Sequence, residues 1–349
     1  MRLTGAREGI CNSPSPVEYD AILIVSFGGP ERSEDVIPFL ENVLRGRNVP
    51  RERMLTVAEH YYHFGGHSPI NDYCRGLVKA LRPGVHLPVY WGNRNWHPLL
   101  ADTVRQMAAA GVRRALALAT SAYASYSGCR QYIENIESAR AAVGTSAPEI
   151  HKLPPFAEHP LFLEANADGV REALARIPES RRAGARLVFT AHSIPVSMAA
   201  ASRYEEQLLH AARCVSEMTV HPGWDLVWQS RSGPPSQPWL EPDILDHLGV
   251  LAERGVRDVA VAPIGFLSDH LEVLYDLDVE AARRCRELGM HFVRARTVGL
   301  HPKMIRMFRE LIEKRLAATE PALCAPDCCP GGASVSPPRR PAQPCPPPR

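Results

Sequence analysis

Short apolar runs rich in β-branched residues alternate along this chain with longer stretches whose apolar positions recur every three or four residues. The runs predict strands over residues 21–26, 88–91, 115–120, 186–190, 225–229 and 259–263. The longer periodicity predicts helices over 33–44, 98–110, 129–143, 161–176, 202–217, 242–254, 269–288 and 302–318. Strands alternating with long helices mean βαβ units and a mostly parallel sheet. The alternation runs twice, broken at Pro154 and Pro155, so the expected fold is α/β, with two similar doubly wound, Rossmann-like lobes. The expected organisation is a disordered N-terminus over 1–18, lobes over 19–155 and 156–318, a cysteine segment over 319–331 and a disordered Pro/Arg tail over 332–349. In such folds ligands sit beyond the carboxyl ends of the strands, and chemistry is sought there.

Composition narrows the classes. A net charge of +2 in 349 residues gives no footprint for nucleic acid. No apolar run approaches the roughly 18–20 residues that span a membrane, and the first residues lack the pattern of a signal peptide, so a cytoplasmic protein is expected. In such a protein the nine cysteines are not expected to form a disulfide framework.

The strand over 21–26 runs into Phe27-Gly28-Gly29-Pro30, without either phosphate-loop motif. The glycines are read as permitting tight backbone near a flat ligand, or a plain turn. The strand over 186–190 ends in Ala191-His192-Ser193, which puts an imidazole suited to proton transfer or metal binding where the fold keeps its site. Beyond the last strand, Glu272, Asp276 and Glu280 follow at spacings of four, one helical face in steps of about 40°. Like charges so placed repel. The row is either a solvated face or a path for cations, and its hard oxygens suit transient handling of a divalent metal. The local alternative makes Asp269 an N-cap with Glu272 as its capping-box partner. The segments 60–69 and 93–98 are dense in aromatic and His residues, with Arg45 and Arg47 near in sequence. They suit a flat, carboxylated aromatic ligand, or else are half-buried aromatics in surface loops.

Together these pieces resemble the ferrochelatase family, specifically its monoderm-bacterial, coproporphyrin-using branch. Phe189-Thr190-Ala191-His192-Ser193-Ile194-Pro195 is similar to the signature around the family's catalytic histidine, and residues 265–276 to the segment around its catalytic glutamate. The likeness runs from about Ala21 to Leu316. It implies the chelatase fold and insertion of Fe(II) into coproporphyrin III. It places His192 and Glu272 across the macrocycle's centre, with the division of proton acceptance and metal delivery between them open. Asp276 and Glu280 would extend a metal relay. His97 matches a histidine near metal entry, and His60, Tyr61, Ser68 and Tyr126 match substrate-binding positions. Arg45 and Arg47 match a basic loop at the pocket mouth. Phe27 departs from the pattern, since many relatives carry Tyr there.

Cys324, Cys328 and Cys329 form a C-x3-C-C group. Four thiolates hold a [2Fe–2S] cluster. Some ferrochelatases carry one on three C-terminal cysteines and one internal cysteine. Cys129 best matches the internal position, Cys214 is the alternative, and zinc is the competing metal. Competing functions are a protoporphyrin IX ferrochelatase, a chelatase for cobalt or nickel, and a non-catalytic tetrapyrrole-binding protein on the same fold. The expected partners are the porphyrin and Fe(II), for a monomer that hands its product transiently to other heme-biosynthesis enzymes.

Overall fold

The structure, a computed structural model, describes residues 17–46, 49–233, 236–320, 328–330 and 345–346. Arg47 and Cys324 lie outside the described residues.

Two four-stranded parallel sheets carry the fold. The first comprises β1 (Ala21–Ser26), β2 (Val89–Asn93), β3 (Arg114–Ala119) and β4 (Glu149–Lys152), in the order β2-β1-β3-β4. The second comprises β5 (Arg186–His192), β6 (Trp224–Gln229), β7 (Asp258–Ala262) and β8 (His291–Arg294), in the order β6-β5-β7-β8. The shared order makes the lobes similar, as expected. The central strands β1 and β7 are buried throughout, and β5 at all but its two end residues. Strands covered by helices on both faces read as continuous apolar runs, which is why these were legible.

β4 and β8 were not predicted. Each has four residues, and Glu-Ile-His-Lys and His-Phe-Val-Arg carry too few apolar positions to signal a strand. They form because β3 and β7 offer free ladder edges. Helices Arg51–His63 and Ile70–Leu81 were also unforeseen, so the aromatic and His segment from residue 60 begins on a helix rather than in a loop.

The largest apolar cluster spans both lobes, from Tyr73, Leu77 and Leu116 to Phe189, Leu208 and Phe308. The closing helix Pro302–Leu316 contributes Met304, Met307, Phe308 and Ile312 to it, and Arg309 on that helix donates to the Ala80 carbonyl at 2.7 Å. The closing helix therefore packs back on helix Ile70–Leu81 of the first lobe. Among the described residues, no helix is long and apolar enough to cross a membrane.

Candidate active site

β5 delivers His192 to the carboxyl edge of the second sheet, in register with Gln229 at the end of β6. The ring is fixed from its inner side: Nδ1 lies 2.5 Å from the Ser193 carbonyl oxygen. A carbonyl only accepts, so Nδ1 carries the hydrogen and the Nε2 lone pair stays available. Nε2 faces Glu272 Oε2 at 3.8 Å, and both side chains remain partly exposed. Tyr204 holds the same peptide unit, its hydroxyl donating to the His192 carbonyl at 3.0 Å.

Glu272 reaches this point because the loop after β7 presses against the end of β5. The Gly265 amide donates to the Thr190 carbonyl at 3.0 Å. A Cβ on Gly265 would lie 2.5 Å from Ala191 Cβ, so only glycine allows the approach. The two family-like segments, far apart in sequence, are in backbone contact here.

The acidic row departs from the expected continuous α-helix. Leu271–Val273 is α-helical, Leu274–Ala281 is π-helical, and Ala282–Glu287 returns to α. Wide turns of this kind recur at functional sites. The capping-box alternative fails: His270 is the N-cap, and Asp269 instead takes Arg294 at 3.0 Å and Thr297 at 3.2 Å. Asp278 pairs with Arg294 at 2.7 Å. Asp276 turns inward, accepting hydrogen bonds from Ser230 and from Gln229 at 3.2 Å. Burial, together with Glu272 and Glu280 nearby, raises its carboxyl to about 7 despite those bonds. His270 stands half-buried beside Glu272, at 3.9 Å, and desolvation lowers its pKa.

The first lobe supplies the opposite wall. Phe39, Met54 and Tyr61 pack with Leu271 in one apolar cluster, against which Phe27, Trp96 and Leu274 also pack. Phe27 meets Phe39 edge-on, and Arg94 stands over its face 5.6 Å from the centroid. Tyr61 is buried and its hydroxyl is held well above its ordinary pKa by desolvation and by Glu272. His60 stacks on Tyr275 at 3.7 Å, and desolvation lowers its pKa, so it faces the acidic segment as a neutral ring. His97 keeps its side chain exposed, while its carbonyl accepts from Asn71 and Asn93.

Three further residues named as substrate contacts are engaged within the protein. Ser68 is buried beneath Gly29, whose added Cβ would lie 2.9 Å from Ser68 Oγ. Tyr126 donates to Glu134 at 2.9 Å, and Arg45 to Asn42 at 2.5 Å. Gln229, Ser230, His270 and Tyr275 line the same locus and were not singled out from the sequence. Gln229 closes a predicted strand and Ser230 follows it, so the strand-end rule that found His192 applies equally to them. A cavity of about 390 Å³ lies behind Ser193, lined by Trp228, Pro242 and Asp243, and neither His192 nor Glu272 lines it.

Away from this edge, Cys129 is buried in the π-helical turn Tyr126–Arg130, ahead of helix Gln131–Val143. Its thiol interacts with Cys329, whose own Sγ lies 3.8 Å from Cys328. Three of the four thiols named from the sequence thus converge, a donor set that fits a [2Fe–2S] cluster. Cys214, the alternative ligand, is excluded: it forms a disulfide with Cys345. No disulfide framework was expected and none is seen among the described residues, where Cys74, Cys129, Cys285, Cys328 and Cys329 are not disulfide-bonded, but this single bond was not foreseen. A pairing between residues 131 positions apart is not legible from sequence spacing.

Comparison with known proteins bears on the family and the fold. The ferrochelatase family model matches residues 19–316. The coproporphyrin III ferrochelatase of Nocardia farcinica is 52% identical, over 93% of this chain and 98% of its own. The ferrochelatase of Rhodopirellula baltica is also 52% identical, over 89% and 93%. Among solved structures, SirB from Bacillus subtilis with Fe3+ superposes with a TM-score of 0.56 at 12% identity, over 86% of this chain and 96% of that one, a likeness of fold. With its paired sheets, its juxtaposed strand-end segments and identity at this level over nearly its whole length, the chain belongs to the ferrochelatase family.

Proposed function

We propose that this protein inserts Fe(II) into coproporphyrin III, giving Fe-coproporphyrin for heme biosynthesis. The observation that carries the reading is the facing of His192 Nε2 and Glu272 at 3.8 Å on the carboxyl edge of the second sheet, with Asp276 near enough to Glu272 and Glu280 to feel their charge. Two pyrrole protons must leave as the metal enters. His192, with Nδ1–H committed to the Ser193 carbonyl, offers its Nε2 lone pair to the first, and Glu272 stabilises the imidazolium. Asp276 and Glu280 pass the cation to Glu272, hard oxygens that hold Fe(II) weakly enough to release it. The aromatic wall of Phe27, Trp96 and Tyr61 packs the macrocycle, and favours a buckled ring whose nitrogen lone pairs are exposed. Coproporphyrin rather than protoporphyrin rests on the Nocardia relative's name and on the resemblance.

A [2Fe–2S] cluster would be held by Cys129, Cys328 and Cys329, with Cys324 as the fourth thiolate, and would supply a structural or redox-sensing group. The proposal includes lobe boundaries near residue 155, and a cytoplasmic monomer that passes its product on by transient contact.

The test is anaerobic mixing of the protein with Fe(II) and either coproporphyrin III or protoporphyrin IX, followed in the Soret and Q bands. Rapid metallation of coproporphyrin, lost in His192→Ala and Glu272→Gln, is expected. Porphyrin binding with metallation no faster than without protein would sink the assignment.

A further inference from the structure

The Cys214–Cys345 bond involves none of the residues assigned to iron insertion, yet a histidine stands beside it. Cys214 sits on helix Tyr204–Met218 with 0% exposure. Its partner Cys345 packs, partly exposed, against the cluster shared by both lobes, with a Cα–Cα separation of 5.3 Å. One helical turn before Cys214, His210 brings Nε2 to 3.6 Å from the Cys214 sulfur. The His210 nitrogen and both sulfurs lie within 4.8 Å of one another, so the imidazole attends the disulfide as a whole.

The two sulfurs are unequal. A thiolate arriving from solvent reaches Cys345 and not Cys214. Attack at Cys345 expels Cys214 as a thiolate, and a bare thiolate in an apolar interior is costly. His210 stands where it can donate a hydrogen bond or a proton to that leaving sulfur. Burial therefore sets the direction of attack, and the neighbouring imidazole serves the buried leaving group.

We propose that Cys214 and Cys345 form a reversible disulfide latch. It fastens the end of the tail to helix Tyr204–Met218 and is worked by thiol–disulfide exchange with a low-molecular-weight thiol. On opening, the thiolate bonds to Cys345 sulfur while the Cys345–Cys214 bond breaks and Cys214 takes up a proton. A second thiolate then attacks the mixed disulfide, releasing the small disulfide and the Cys345 thiolate. Two small thiols are oxidised and one protein disulfide is reduced. Closing is the reverse, with the small disulfide as oxidant. The latch ties the end of the tail to the helix whose first residue, Tyr204, bonds the His192 carbonyl. The inference does not depend on the iron-insertion reading.

The test uses the full chain, equilibrated with oxidised or reduced glutathione, alkylated, digested with trypsin without reductant and analysed by mass spectrometry. After oxidised glutathione, the peptide carrying Cys345 is expected joined to the one carrying Cys214. Reduced glutathione should free both, and returning to oxidised glutathione should rejoin them. His210→Gln should slow opening about tenfold while leaving the linkage itself intact. Cys345→Ser should abolish the linkage and leave iron insertion unchanged. Both thiols alkylated after oxidised glutathione, or Cys345 joined to another cysteine, would overturn the latch. A linkage indifferent to reduced glutathione would make it a fixed staple instead. An unchanged opening rate in His210→Gln would remove His210 from the exchange.

Discussion

Asp276 is a carboxyl group that the fold keeps protonated up to about pH 7, chiefly by burial. A carboxyl raised in this way makes the folded state the better proton binder. Stability is then lost as pH rises from the unfolded value near 4 to the folded value near 7, and the full cost is present above that window. Asp276→Asn keeps a partner for Ser230 and cannot ionise. The stability difference between variant and wild type should grow in the variant's favour across that window, by on the order of 1–3 kcal/mol. Urea melts at pH 5 and pH 8 would read it, and an equal difference at both would show that Asp276 does not titrate there. Iron insertion should behave oppositely. The wild-type rate should rise through pH 7 as the carboxylate appears, and the variant should lack that rise. At His192 the expectation is starker: His192→Ala should lower the insertion rate by about 10²–10⁴-fold while porphyrin binding, read by fluorescence quenching, persists.

The site depends on two segments being pressed together, and one glycine sets the spacing. Gly265→Ala would place a methyl within 2.5 Å of Ala191 Cβ and 2.7 Å of Ala191 Cα, in backbone that cannot swing aside. The expected cost is about 1–3 kcal/mol, measured by denaturant unfolding. Iron insertion should fall further than stability alone explains, since Glu272 is displaced from His192. Unchanged stability and rate together would mean that the contact is loose. This contact also marks the boundary of what the sequence reveals. His192 and the acidic row were legible because strand ends and spacings of four are local patterns. The π-helical geometry was not, because eight residues are too few to tell a wider turn from the 3.6-residue period of an α-helix. The same limit explains β4 and β8, whose four residues are organised by neighbouring edges rather than by their own pattern. Where the side chains of Ser68, Tyr126 and Arg45 point was likewise not readable from the sequence. In the structure Ser68 lies under Gly29, and the other two are bonded within their own segments.

At the scale of the whole molecule, specific polar contacts join the lobes beside the apolar cluster they share. Tyr123 of the first lobe donates to the Ile264 carbonyl at 3.0 Å, beside the segment that carries Glu272. The closing helix crosses back to the first lobe, and beyond it Cys328 and Cys329 meet Cys129. A cluster on these thiolates would pin the chain's end to the turn Tyr126–Arg130. The neighbouring Ala124 amide is bonded at 2.8 Å to Gln207, on the helix that also carries Tyr204. Loss of one thiolate should therefore be visible in two ways. Cys129→Ser should remove the visible absorption of the anaerobically purified protein, because three thiolates and a serine hold a [2Fe–2S] cluster poorly. It should also lower the thermal midpoint, since the tail loses its anchor to the first lobe. A zinc site would give a colourless wild type with about one bound zinc per chain, read by elemental analysis. An unchanged spectrum in the variant would move the internal ligand away from Cys129 and remove the reason to link the tail with this turn.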